Sequence, residues 1–162
     1  MSAFSDHLTE TADRVTVALD ALLERPDGPE QRVISAMRYA ALGPGKRLRP
    51  FLLIETGNLV GGDERALLRA ACAVECVHAY SLIHDDLPCM DDDDLRRGRP
   101  TVHREYDEAT AVLAGDALQS QAYELLADPE THEHAAVRAE LVMRLAKAAG
   151  PRGMVGGQMI DM

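Results

Sequence analysis

Residues 63–84 form a run rich in Ala and Leu that carries no charge after Arg69 except Glu75, and the next ten residues, DDLPCMDDDD at 85–94, hold six Asp and no base. A run so apolar and so long is stable in water only when most of its surface is covered, which predicts a buried central helix with Asp63 as its N-cap. Its C-terminal end then gathers six carboxylates that repel one another and face the negative pole of the helix dipole. The fold has to supply other helices to cover the run, and something positive to offset the acids.

The rest of the chain supplies the helices. Leu8, Thr11, Ala12, Val15, Ala18, Leu19, Leu22 and Leu23 make a 3.6-period stripe closed by the breaker Pro26, Asp27, Gly28, Pro29. Helical patterns follow at about 30–42, ending at Gly43-Pro44-Gly45, and at about 50–59, with Pro50 in the first turn and Gly61-Gly62 after the end. Beyond a polar segment at 96–103, helices are expected at about 109–127 and 134–149, separated by Asp128-Pro129, with Gly150, Pro151 and Gly153 interrupting before Val155-Gly156-Gly157-Gln158. No alternating two-residue period, repeat or linker is present, so the expected fold class is all-α, an antiparallel helical bundle with short loops and no internal domain boundary.

Charge limits the partners. Lys and Arg number 17 against 27 Asp and Glu, a formal net charge of -10, of which six units lie in 85–94 and leave -4 elsewhere. An acidic surface repels phosphate backbones and anionic lipid, so no nucleic acid and no membrane partner is expected. The three cysteines, Cys72, Cys76 and Cys89, form no CxxC pair, and Cys72 and Cys76 lie one helical turn apart among apolar neighbours. They read as reduced structural thiols, which suits the cytoplasm. The first ten residues lack the basic and then apolar run of a signal peptide, and no stretch is expected to reach the ~20 apolar residues of a membrane span.

An acidic run is ordinarily a solvated loop. Here Asp85, Asp86 and Asp91 end an apolar helix and are followed at once by Arg96, Arg97 and Arg99. Mg²⁺ takes one or two carboxylates plus water and substrate phosphate, and the arginines suit the phosphate half of such a site. An EF-hand is excluded, because twelve residues counted from Asp91 put Arg96 at the required Gly and Val102 at the bidentate Glu. In an ideal helix Asp85 and Asp91 would lie about 120° apart around the axis, so the break at Pro88 is needed to bring them together. His78, seven residues before Asp85, lies within about 20° of the same face. A lone histidine on an apolar helix is ordinarily a satisfied core residue; its alignment with the acids makes it equally a ligand-binding candidate.

A second basic site is Gly43-Pro44-Gly45-Lys46-Arg47-Leu48-Arg49-Pro50, three cations in four residues behind a Gly-rich loop. It is expected either to cradle a diphosphate at a helix N-terminus or to be a solvated basic turn. It is not a Walker A loop, since Ala40 and Arg47 stand where that motif needs Gly and Ser or Thr.

Five ordered motifs, GKRLRP at 45–50, HAYSLIHDDLPCMDDDD at 78–94, LRRGRPT at 95–101, LAGDAL at 113–118 and GGQ at 156–158, together resemble the trans-polyprenyl diphosphate synthases. The D-D-x-x-x-x-D spacing of Asp85, Asp86 and Asp91 resembles the bacterial farnesyl diphosphate synthases (geranyltranstransferases) in particular. The resemblance implies the isoprenoid synthase type of helical bundle and condensation of isopentenyl diphosphate with dimethylallyl and geranyl diphosphates. By the same resemblance Asp85 and Asp91 hold Mg²⁺ with Asp86 beside them, and Arg96 assists at the allylic diphosphate. Lys46, Arg49, His78 and Arg97 bind isopentenyl diphosphate, and Tyr80, with the smaller Ser81 next to it, forms a floor that limits product length. Gln158 and Asp161 match the family's GQxxD element, and Gly115 and Asp116 are candidates for close packing and polar support.

Members of that family are roughly twice this long, and their second Asp-rich motif lies in the other half. The resemblance therefore reads residues 1–162 as the N-terminal part of one truncated domain, impaired when alone, whose relatives are commonly homodimers. The alternative from another class is a noncatalytic helical module that binds diphosphate or metal, or a subunit completing a partner.

Overall fold

The structure is a computed structural model that describes residues 3–23, 25 and 27–162. Pro26 of the expected breaker and the first two residues of the N-terminus lie outside the described residues. Eight helices are described: α1 (Ala3–Leu22), α2 (Gln31–Ala41), α3 (Leu48–Leu59), α4 (Glu64–Asp85), α5 (Val102–Glu105), α6 (Glu108–Ala127), α7 (Ala135–Ala149) and α8 (Met154–Asp161). Between α4 and α5 the chain forms a hairpin of two-residue strands, β1 (Leu95–Arg96) and β2 (Arg99–Pro100), in which Leu95 pairs with Pro100 and Arg96 with Arg99.

The all-α expectation holds, and the elements follow the periodicity closely. In α1 the buried side chains are Thr11, Val15 and Leu19, successive members of the predicted stripe. Asp63 caps α4, its Oδ1 accepting the Ala66 N–H at 2.9 Å. Helix α4 is the centre of the bundle and packs against α1, α2, α3 and most extensively α6. Small residues let the two helices approach: Ala71, Cys72, Ala73 and Cys76 on α4 and Ala111, Ala114 and Ala122 on α6 are fully buried. Such shape-matched interiors are close-packed, so each added methyl group is felt.

The expectation that no stretch reaches membrane-spanning length needs correction. By length and composition α4 qualifies, with half of its apolar window buried. The reason is its place in the bundle, since a central helix covered on several sides needs the same uninterrupted apolar surface as one in lipid. Three further features were not expected. The β1–β2 strands and the four-residue α5 are too short for any period to show, and α8 runs through Gly156 and Gly157, beyond the interruptions at Gly150, Pro151 and Gly153, where no helix was expected.

Candidate active site

The first functional segment begins where α4 ends. Pro88 lies in the turn after Asp85, and the chain folds back so that the Asp91 N–H donates to the Asp85 carbonyl at 2.9 Å. The Asp92 N–H donates to the Leu87 carbonyl at 3.1 Å, with Asp92 in the left-handed region at φ 53°. This wrap achieves what an ideal helix cannot. The Asp91 carboxylate comes close enough to Asp85 to help raise its pKa, behind burial as the main cause and partly countered by Arg96.

Arginines neutralise only part of the cluster. Asp86 is buried and receives Arg96 Nε at 2.7 Å and Nη2 at 2.5 Å; burial raises its pKa and Arg96 works against that rise. Asp93 Oδ2 lies 3.5 Å from Arg96 Nη2, and Asp94 pairs with Arg104. Among the described residues Asp85, Asp91 and Asp92 carry no ion pair. Gln158 of α8 donates its amide to Asp85 Oδ1 at 2.5 Å. Two adjacent carboxylates left without a cation, one of them raised in pKa by the other, are an oxygen donor set suited to a hard divalent cation. Among the described residues no group of three or more His, Cys, Asp or Glu forms a self-sufficient metal site, so water and substrate oxygens would complete the shell.

The second site is a cavity of about 450 Å³ lined by Lys46, Arg49, His78 and Arg97 together with Gly45, Arg47 and Glu75. It brings together the four residues expected to hold one diphosphate. Arg49 Nη1 lies 3.5 Å from His78 Nε2, and burial, followed by the positive charge of Arg49, lowers the His78 pKa. Both effects favour the neutral imidazole, whose Nε2 can accept from Arg49. Arg97 sits in the hairpin turn at φ 54°, followed by Gly98 at φ 78°, a left-handed pair suited to a two-residue hairpin. Its guanidinium donates to the Pro44 carbonyl. Gly45 makes room for it, since a Cβ there would fall 2.3 Å from Arg97 Nη1. The hairpin rests on α2, where the Arg99 guanidinium lies 4.1 Å over the Tyr39 ring and the Tyr39 hydroxyl donates to the Pro100 carbonyl at 2.8 Å.

Arg47 is the exception to the three-cation reading of its loop. It is buried and bound to Glu75, so only Lys46 and Arg49 of that trio remain exposed. The lone Glu75 in the apolar run signalled that some cation had to be buried beside it, but nothing in the sequence singled out Arg47 as that cation. Tyr80 is buried one turn before His84, and their rings meet edge to face at 5.8 Å. Burial raises the Tyr80 pKa; Gln119 is near enough to temper the rise, yet the hydroxyl has no hydrogen bond. Ser81 donates to the His78 carbonyl at 2.9 Å. Gly115 is a close-packing residue, because a Cβ would fall 2.1 Å from His84 Nε2. Asp116 and Asp161 are exposed.

A family model described as polyprenyl synthetase matches residues 30–162. The chain belongs to the polyprenyl synthetase family. This polyprenyl synthetase chain is 47% identical to the farnesyl diphosphate synthase of Haemophilus influenzae, covering 100% of this chain and 55% of that relative. It is 49% identical to the farnesyl diphosphate synthase of Geobacillus stearothermophilus, over 96% of this chain and 52% of the relative. The apo crystal structure of an FPP/GFPP synthase from Zymomonas mobilis superposes with a TM-score of 0.93 at 51% identity, covering 96% of this chain and 56% of that one. The chain thus spans about half the length of the curated relatives it matches.

Proposed function

We propose that the chain is part of a cytoplasmic, homodimeric prenyltransferase that condenses isopentenyl diphosphate with dimethylallyl or geranyl diphosphate to give farnesyl diphosphate. The observation that carries this is the pairing of two sites on one helix. The unpaired carboxylates end α4, and the cationic cavity opens at His78, seven residues and about 10 Å earlier along the axis. That separation suits two diphosphates whose five-carbon and longer tails must meet between them.

Mg²⁺ held by Asp85 and Asp91 would neutralise the allylic diphosphate and make it a competent leaving group. The other steps rest on the chain's own side chains. Asp86 fixes Arg96 through its buried carboxylate, so that the guanidinium is held beside the acidic pair. Lys46, Arg49 and Arg97 supply positive charge to isopentenyl diphosphate, and neutral His78 offers a hydrogen bond without adding a fourth cation. Holding both substrates in one orientation converts a bimolecular encounter into a positioned one. The apolar helix surfaces exclude water from the developing allylic cation, and Tyr80 closes the space one turn below the acids as a floor for the growing chain.

The test is incubation of radiolabelled isopentenyl diphosphate and geranyl diphosphate with Mg²⁺, using the 162-residue chain and a longer chain carrying a relative's remaining half. A second Asp-rich motif is expected in that half, so the longer chain should form farnesyl diphosphate and the shorter one little or none. Asp85→Ala should reduce turnover of the longer chain at least about 100-fold, the order lost with a major electrostatic stabiliser. Unchanged turnover refutes the site. Diphosphate binding by both chains with product from neither leaves the noncatalytic module.

A further inference from the structure

Arg47 stands between Lys46 and Arg49 in the sequence yet shares the exposure of neither. Its side chain and that of Glu75 are each 4% exposed, with Nη1 to Oε1 at 2.7 Å. The same guanidinium donates through Nη2 to the carbonyls of Ala41 at 2.9 Å and Gly43 at 2.8 Å, and through Nε to Thr16 Oγ1 at 3.4 Å. One side chain thereby ties α1, the end of α2 and the Gly-rich loop to α4.

Arg47 also adopts left-handed backbone angles, φ 48° and ψ 38°, at the N-cap of α3. For a residue with a Cβ this conformation is strained and persists only where the surroundings enforce it. The buried anchor enforces it here. The inversion leaves Lys46 on the open side of the loop and starts α3 so that Arg49, in its first turn, reaches His78. Glu75 precedes His78 by three residues on α4, one turn along the same face. The ion pair therefore joins the segment carrying Lys46 and Arg49 to the helix carrying His78. Buried pairs of this kind are often no more stabilising than apolar residues of similar volume. Glu75 Oε2 is buried without a hydrogen-bond partner, which fits a pair retained for geometry better than one retained for stability.

We infer that Arg47 and Glu75 are positioning residues for isopentenyl diphosphate: their ion pair sets the register between the loop and α4 on which the cationic cavity depends, without either residue binding the substrate. The inference rests on the reading of that cavity as the isopentenyl diphosphate site.

The test is calorimetric titration of isopentenyl diphosphate into the 162-residue chain, its Arg47→Met/Glu75→Leu double variant, Arg47→Lys and Arg49→Ala, each with its melting temperature. The double variant should keep its melting temperature within a few degrees while Kd rises about tenfold, and Arg47→Lys, which keeps a cation against Glu75, should recover most of the loss. A folded double variant that binds within threefold of the unsubstituted chain overturns the inference. Should the double variant not fold, the isosteric Glu75→Gln decides on the same threefold criterion. The unsubstituted chain binding nothing, or Arg49→Ala binding as tightly, refutes the site and the inference with it. That pattern is distinct from loss in Arg49→Ala alone, which refutes only the inference.

Discussion

Gln158 Nε2 lies 2.5 Å from Asp85 Oδ1, across 73 residues of sequence, so that α8 closes onto the end of α4 through one amide and one carboxylate. The amide can donate but cannot neutralise, which orients an oxygen of Asp85 and leaves its charge available. Partners of this kind around metal ligands are typically worth 10–100-fold in metal affinity. Gln158→Leu should therefore weaken Mg²⁺ binding in the presence of an allylic diphosphate about tenfold and raise the Asp85 pKa further. Isothermal titration and carboxyl-carbon NMR check the two effects; unchanged values in both would make the contact incidental.

Gly115 is predicted to tolerate no side chain while His84 is present. Helix propensity alone favours Gly→Ala by about 1 kcal/mol. Against this, the new Cβ would meet a ring whose Nε2 lies 3.0 Å from the Val112 carbonyl and which also meets Tyr80 edge to face. Overpacking of this kind costs about 1–3 kcal/mol, enough to reverse the sign. Gly115→Ala should lower the melting temperature, and His84→Ala/Gly115→Ala should melt above His84→Ala.

What the sequence showed of this site follows the range of the interactions. The α1 stripe, the Asp63 cap and the long α4 are local patterns and were legible at their correct places. The return of Asp91 onto Asp85 was legible as a requirement, because Pro88 made the ideal helix impossible. Arg47 was not, since a base in a Gly-rich loop looks solvated until left-handed backbone turns it toward Glu75, 28 residues away. The motifs assigned Lys46, Arg49, His78 and Arg97 to one ligand by resemblance, while their convergence on one cavity depends on α3, α4 and the hairpin packing together. No periodicity could announce two-residue strands, nor a helix α8 that begins at Met154 and runs through two glycines.

The cysteines should separate by reactivity. Burial pushes the Cys72 thiol up to about 12 and that of Cys76 higher still, whereas Cys89 is exposed beside the acidic turn. Thiolate is the reacting species, and a buried thiol also needs an opening of the core to meet a reagent. An aromatic disulfide reagent at pH 8 should titrate one thiol in the folded chain and three after denaturation. Two or more fast thiols in the folded chain would place Cys72 or Cys76 outside the packed α4 interior.

Asp107 gives the fold an acid limit that can be calculated in sign. Its Oδ1 accepts the Thr110 N–H at 2.7 Å, its Oδ2 accepts the Thr110 hydroxyl at 2.9 Å, and Arg32 Nη2 lies 2.5 Å from Oδ2. The backbone hydrogen bond from Thr110, then Arg32 and the Thr110 hydroxyl, hold its pKa down at about 2 against an ordinary 3.8. Because the folded value lies below the unfolded one, the contribution is complete above about pH 4 and is lost as pH falls through about 2. Removing the cap with Asp107→Ala should lower the melting temperature by roughly 2–4 °C at pH 6. Between pH 4 and pH 2 the difference between the two chains should narrow, because the unsubstituted chain loses the carboxylate that the variant never had. A gap that stays constant over that range would mean that the cap acts through its shape and not through its charge.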